Sequence, residues 1–344
     1  MFGFYLLLAV FLILAILLLI FRISRLVNVV KGSYDKRTTA SNNVNGMLMM
    51  AFLIVGFGLM IWYSFAYFDL YDPPVASEHG ELTDKLFWRT MYITGIVFIV
   101  THILLFWFGW KYRYKSDQKA LFYPDNHKLE LLWTGVPAIV LTWLVISGWM
   151  AWSDIMSDAS EDAEQIEVFG HQFAWVIRYG GMDNDLGDFD YRLIDGTNNL
   201  GQDFSDRAGF DDFQYRDLVV PKGQEVVLKI RARDVLHSVF IPHFRLKMDA
   251  VPGMPTQFKF IATKTTDEMK EELGDPDFEY ELACTEICGG GHFSMRKVVK
   301  VLEPAEYAKW KAEQKSWLSR NPEYMSSVPD NLKELAVVTA GINE

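Results

Sequence analysis

Twelve consecutive residues, Cys284-Thr285-Glu286-Ile287-Cys288-Gly289-Gly290-Gly291-His292-Phe293-Ser294-Met295, hold two thiols, an imidazole and a thioether. Soft thiolate and thioether donors with imidazole favour copper, and Cys, His and a weak Met make up blue-copper sites. One copper of that kind needs a single cysteine. A second cysteine four positions on allows both sulfurs to bridge two metal ions, each capped by one imidazole. That arrangement requires a second histidine from another loop, and His237 and His243 both qualify. Glycines 289–291 suit a tight loop that folds the donors around a metal. A Cys284–Cys288 disulfide is permitted in an oxidising compartment, but it leaves His292 and Met295 without a role. A tetrahedral zinc site would use the thiols and imidazole well and the thioether poorly. With only two cysteines in the chain, no disulfide framework is available.

The elements that must position these residues fall into two kinds. Half of the 344 residues are apolar, yet the net charge is −11, which suggests hydrophobic spans joined to an acidic soluble part. Four apolar runs, Phe2 to Phe21, Met47 to Phe68, Met91 to Trp110 and Leu131 to Trp152, are long enough for a bilayer core of roughly 30 Å, which takes about 20 helical residues. The first lacks a basic leader and a small-residue cleavage site, so it reads as a retained helix rather than a signal peptide. Arg22, Arg25, Lys31, Lys36 and Arg37 follow the first span against Asp35 alone. Lys111, Arg113, Lys115, Lys119 and Lys128 follow the third. Asp69, Asp72, Glu78, Glu81 and Asp84 occupy the other loop, and Asp154, Asp158, Glu161 and Asp162 follow the fourth. The Lys and Arg excess marks the inner side, which places both termini and everything from about residue 153 outside. His102 lies within the third span, where an ionisable group invites a functional reading; its plainer reading is a neutral imidazole bonded to a neighbouring helix.

After residue 165 the pattern changes to short alternating runs divided by turn residues: Gln165 to Val168, Ala174 to Tyr179, Glu225 to Ile230, Gln257 to Ala262 and Lys297 to Leu302. Such spacing predicts a β-sandwich or barrel. A polar stretch from about Gly180 to Gly209 reads as a loop or insertion. From Pro304, with Glu306, Tyr307, Trp310 and Trp317, the pattern suggests an amphipathic helix and then a polar tail. Sixteen Asp or Glu against four Arg or Lys lie between Ser153 and Asp217. The plainer reading of that run is a solvated surface; the functional one is a negative face that steers a basic electron donor. The acidic balance argues against nucleic acid as a partner.

At this point the residues resemble subunit II of the haem–copper cytochrome oxidases. The Cys-x-Glu-x-Cys-x-x-x-His-x-x-Met pattern is similar to that family's dinuclear CuA motif, and Asp234-Val235-Leu236-His237-Ser238 is similar to its upstream segment, which favours His237 over His243. Lys247 to Gly253 resembles the segment after the first histidine. Glu130-Leu131-Leu132-Trp133-Thr134, with Pro137, resembles the start of the family's second membrane helix. The resemblance implies copper held by His237, Cys284, Cys288, His292 and Met295, with Glu286 binding through its backbone carbonyl. It also implies a Mg²⁺ shared between the Glu286 carboxylate and subunit I, and Glu130 at the mouth of a proton channel. Two features depart from the family pattern. Phe173 stands at the expected position of the tryptophan through which electrons enter, in Gly170-His171-Gln172-Phe173-Ala174-Trp175, so Phe173 and Trp175 together are the candidate region. Met254 stands where an arginine is often found.

The fold class implied is an N-terminal α-helical membrane anchor of four transmembrane helices plus an all-β cupredoxin-like Greek-key sandwich. Residues 1–90 would be an extra helix pair, 91–152 the family's own hairpin, 153–303 the CuA domain with its insertion at about 180–209, and 304–344 a C-terminal helix and tail. The function implied is that of subunit II of a terminal cytochrome c oxidase. It takes electrons from a cytochrome c or a cytochrome c domain and passes them to haem in subunit I, where haem and CuB reduce O2 with proton pumping. Its location would be the bacterial inner membrane, multi-pass, among lipid and other oxidase subunits, with the C-terminal domain periplasmic. A copper-free quinol oxidase subunit is disfavoured by the intact donor set, and a lone copper carrier by Glu130. A structural module with a disulfide would be set apart by its lack of metal.

Overall fold

The computed structural model describes residues 2–31, 40–68, 72–115 and 117–342, with side chains from residue 11 except at 28 and 40. The expected charges at Asp35, Lys36, Arg37 and Asp69 lie outside the described residues. Four long helices come first: α1 (Phe2–Val30), α2 (Ala40–Ala66), α3 (Glu78–Lys111) and α4 (His127–Ile155). Among the described residues, α3, α4 and the stretch Ser41–Ala66 of α2 are long and apolar enough to cross a membrane. α3 opens with Glu78 and Glu81 in its first turn, where carboxylates meet the positive end of the helix dipole. The Asn126 side chain caps the start of α4 by accepting from Leu129 N at 3.1 Å. α2, α3 and α4 start before their apolar runs because polar first turns extend them.

Two compact units result, Met1–Tyr71 with Met91–Val136, and Asp72–Thr90 with Pro137–Glu344. In the first, α2 meets α3 through Phe52–Phe106 and Phe57–Phe98 ring contacts. Arg113 Nε donates to Asn43 Oδ1 at 3.0 Å. His102 bonds the Phe98 carbonyl through Nδ1 at 2.8 Å, one helical turn back.

In the second unit ten strands form two five-stranded sheets. They are β1 (Glu164–His171), β2 (Ala174–Tyr179), β3 (Phe213–Tyr215), β4 (Leu218–Pro221), β5 (Glu225–Ala232), β6 (His237–Ile241), β7 (Leu246–Ala250), β8 (Thr256–Ile261), β9 (Tyr280–Cys284) and β10 (Arg296–Leu302). One sheet runs β3-β2-β1-β5-β8 and the other β4-β10-β9-β6-β7. β1 pairs with β5 in parallel and β10 with β4 in parallel; the other ladders are antiparallel. The core is Ile166, Val168, Ile177, Leu228, Ile230, Val239, Ile241, Leu282 and Val299, all fully buried. Each such side chain contributes about 1.5–3 kcal/mol on burial. The candidate donors Cys284, Cys288 and Met295 belong to this same core. It is a cupredoxin-like β-sandwich.

The loop before α3 and the first turns of that helix dock on the sandwich. Ser77 bridges Ala262, Ala76 N donates to His243 O at 2.8 Å, and Arg245 holds Asp84 at 2.7 and 2.9 Å. On the outer face of β1, β2 and β5 lies a buried ionic group. Arg178 bonds Glu167 at 2.6 Å and Asp212 at 2.9 Å, and Arg231 also bonds Glu167. Burial opposes the Glu167 charge, but the two arginines hold its carboxyl below the usual range. Asp212, which shares Arg178 with Glu167, is pushed by burial up to about 8. Removing one partner of such a set costs about 3–5 kcal/mol, because a buried charge is left alone.

The acidic run is therefore only partly solvated: Glu164, Glu167, Asp212 and Asp217 are buried, while Asp183, Asp185, Asp188 and Asp195 are exposed. The expectation of a polar tail is corrected. A capped helix α5 (Thr266–Leu273) interrupts the strands, and the C-terminus forms α6 (Pro304–Ala312), α7 (Trp317–Arg320) and α8 (Lys333–Thr339). Trp310 and Trp317 lie on separate helices. Trp317, Leu318, Val328, Ala336 and Ala340 pack on Phe204 and Phe210 of the insertion as a second small core. Two aromatic residues in the insertion supply the apolar surface that this tail needs.

Candidate metal centre

The donors converge because three ladders end together. Cys284 is the last residue of β9 and pairs with Val239 of β6, two positions after His237 at the start of that strand. Cys284 N donates to Met295 O at 3.0 Å, and Arg296 next to it pairs with Ala283 as β10 begins. The loop between them carries Cys288 and His292. His237 Nδ1 lies 3.9 Å from Cys284 Sγ, His292 Nδ1 3.6 Å from Cys288 Sγ, and Met295 Sδ 3.4 Å from Cys288 Sγ. Cys284 Sγ lies 3.3 Å from the Glu286 carbonyl. One donor atom each of His237, Cys284 and Cys288 falls within 4.8 Å of the others. Both thiols are free. The loop therefore places two sulfurs between two imidazoles, with a thioether and a carbonyl at the edge, a set whose soft character fits copper. Burial, and then the Cys284 thiol beside it, push the Cys288 thiol up to about 11. Metal binding must displace that proton.

Groups around the donors fix their orientation. Asp234 Oδ1 bonds His237 Nε2 at 3.0 Å and accepts from Val235 N at 2.8 Å, while its Oδ2 accepts from Gln172 N at 2.8 Å. Burial raises the Asp234 carboxyl, but these hydrogen bonds outweigh it and hold the group below the usual range. A carboxylate on Nε2 leaves Nδ1, the nitrogen facing Cys284, free of a proton. Gln172 Nε2 donates to Cys288 O at 2.5 Å, and Trp175 Nε1 to Met295 O at 3.3 Å. Trp175 also meets His237 edge-on at 5.7 Å. The contacts of Gln172 were not legible, because a glutamine carries no signal for a partner 116 positions away.

The other expected residues are placed as follows. Trp175 is 2% exposed, whereas Phe173 is 41% exposed. Ile287 and Phe293, on the metal loop itself, are 85% and 82% exposed. Glu286 is half-buried. His243 sits in the turn after β6, at the far end of that strand from His237, against Phe278 and Tyr280. Met254 is exposed in the β7–β8 turn. Glu130 lies in the first turn of α4, with His127 Nδ1 at 3.2 Å and Asn126 N at 3.5 Å.

Residues 165–302 match the family model of the cytochrome c oxidase subunit II periplasmic domain, and residues 66–148 that of its transmembrane domain. The alternative cytochrome c oxidase subunit 2 of Bradyrhizobium diazoefficiens is 30% identical over 265 residues, 75% of this chain and 91% of that protein. Cytochrome c oxidase subunit 2 of Thermostichus vulcanus is 25% identical over 295 residues, 70% of this chain and 77% of that protein. A crystal structure of the periplasmic domain of subunit II of cytochrome oxidase from Bradyrhizobium japonicum covers 45% of this chain and 95% of its own length, at 24% identity and a TM-score of 0.31. Two matched family models and a relative aligned over most of its length agree with the donor set: the chain belongs to the cytochrome c oxidase subunit II family.

Proposed function

We propose that this chain receives electrons for a terminal oxidase at a dinuclear copper centre held by His237, Cys284, Cys288, His292, Met295 and the Glu286 carbonyl. The observation that carries this reading is the pairing of each thiol with its own imidazole Nδ1, at 3.9 and 3.6 Å. Bound there, a copper pair supplies one-electron transfer with the charge shared over two metals and two sulfurs. The protein's part is to hold the donors on a rigid sandwich so that little rearranges as an electron comes or goes. Asp234 fixes the His237 ring, and the β9–β10 ladder fixes Cys284 against Met295.

The donor is a cytochrome c or a cytochrome c domain. Exposed Asp183, Asp185, Asp188 and Asp195 give a negative field that would draw a basic protein toward this unit. Phe173, exposed and packed on the metal loop, is the place where electrons enter, with Trp175 behind it against His237. The recipient is haem in subunit I, where haem and CuB reduce O2. The Glu286 carboxylate shares a Mg²⁺ with that subunit, and Glu130 stands at the mouth of a proton channel shared with it. The anchor is read as four spans, α1 included, in the bacterial inner membrane with the sandwich on the periplasmic side. Residues 1–90 are an added helix pair, 91–152 the family hairpin, 153–303 the copper domain and 304–344 its C-terminal extension.

The test is copper content of the full chain purified in detergent. Wild-type protein should hold about two coppers per chain, and Cys288→Ser should lose most of that copper. Equal copper in both would reject the assignment.

A further inference from the structure

The hairpin joining β1 to β2 turns at Gln172 and Phe173, between the paired residues His171 and Ala174. Its tip rests on the metal loop. A Cβ built on Gly291 would lie 2.5 Å from Cγ, 2.7 Å from Cδ2 and 2.8 Å from Cβ of Phe173. Those atoms are at the root of the ring, which cannot swing aside without moving the hairpin backbone. Gly291 itself has φ −97° and ψ 9°, a conformation open to L-residues. The phenyl ring, rather than the backbone, is what excludes a side chain there. Gly289 differs, because its φ of +133° already favours glycine. A Cβ there would also meet Phe173 Cε1 and Cζ at 2.9 Å and Gln172 Nε2 at 3.1 Å. At Gly290, between them, a Cβ would meet nothing within 4 Å.

We infer that Phe173 is a positioning residue for the metal loop. Its ring, seated in the space left by Gly289 and Gly291, sets the path of the chain from Cys288 to His292 and so the separation of those two donors. What the donors hold rests on the copper reading above; the steric fit does not. The bulk at position 173 and the missing side chain at position 291 are two halves of one contact. Gln172 fastens the same hairpin tip to Cys288 O, so the wedge is tied to the loop it shapes.

The test is a double-mutant cycle on the full chain in detergent, with Gly291→Ala, Phe173→Ala, the double variant, and Gly290→Ala as a control. Two quantities are read: the thermal midpoint of the metal-free protein and the electron paramagnetic resonance signature after copper loading. Gly291→Ala should lower the midpoint, weaken copper retention roughly tenfold, as overpacking does, and alter the signature. In the Phe173→Ala background the same substitution should cost little, and Gly290→Ala should be silent. If Phe173→Ala does not yield folded protein, Phe173→Leu takes its place in the cycle. Gly291→Ala without effect, or with equal effect in both backgrounds, would overturn the inference. Coupling seen in the metal-free midpoint of a chain that takes up no copper would sustain the wedge and remove the copper reading.

Discussion

Asp234 joins parts of the chain that are far apart in sequence: one carboxylate oxygen takes His237 Nε2 and the other takes the backbone of Gln172. Replacing it by asparagine keeps the size and removes the charge that fixes the imidazole's proton on Nε2. Asp234→Asn should weaken copper retention about 10- to 100-fold, as loss of such partners does at other metal sites. A competition titration against a chelator would read this; unchanged affinity would show that His237 needs no help. At this scale the sequence was most legible where the chemistry is local. Four side-chain donors lie within twelve residues, and their types already name the metal class. The choice between His237 and His243 was not decidable from residue type, since both follow the same strand-like run. The ladder from β6 to β9 separates them by placing only the first beside Cys284. The wedge of Phe173 on Gly291 was hidden for the same reason, because no local pattern records what fills the space above a glycine.

Among the elements, the β6–β7 hairpin has a donor at one end and a buried imidazole at the other. His243 is held down to about 4, by burial first and by the Arg245 guanidinium second, below its ordinary value of 6.5. The unfolded chain then binds more protons than the folded one between those two values, so stability rises with pH through that window. Acidification from about 6.5 toward 4 should therefore destabilise the protein, and His243→Phe should flatten that part of the profile. Thermal midpoints of both proteins across this range would decide it; parallel profiles would show that His243 contributes nothing. Strand prediction succeeded where alternation is clean: β2 has the bounds read from Ala174 to Tyr179. It failed where burial comes from a distant partner. Val328, Ala336 and Ala340 read as part of a polar tail because Phe204 and Phe210, with which they cluster, lie more than a hundred positions earlier. Glu167, Arg178 and Asp212 fell in a run read as a solvated surface, because pairing that permits burial of such groups is invisible in one dimension.

For the whole molecule, apolar length suggested four spans, and three of them are membrane-capable helices among the described residues, while their polar ends went unread. α3 begins at Glu78 rather than near Met91, because its first turns belong to the sandwich unit, where Asp84 meets Arg245. Glu130 lies in the first turn of α4. In the assembled oxidase Glu130→Ala should slow turnover several-fold, as loss of a positioned proton carrier does, with the copper signature intact. Turnover equal to wild type would remove Glu130 from the proton path.

The central claim is that two sulfurs of one glycine-bearing loop hold two coppers between two imidazoles. Electron paramagnetic resonance of the copper-loaded full chain tests it most directly. The arrangement predicts a mixed-valence signal in which one unpaired electron is shared equally by two coppers. The signal of a single isolated copper, or none at all with Cys284 and Cys288 joined to each other, would contradict it.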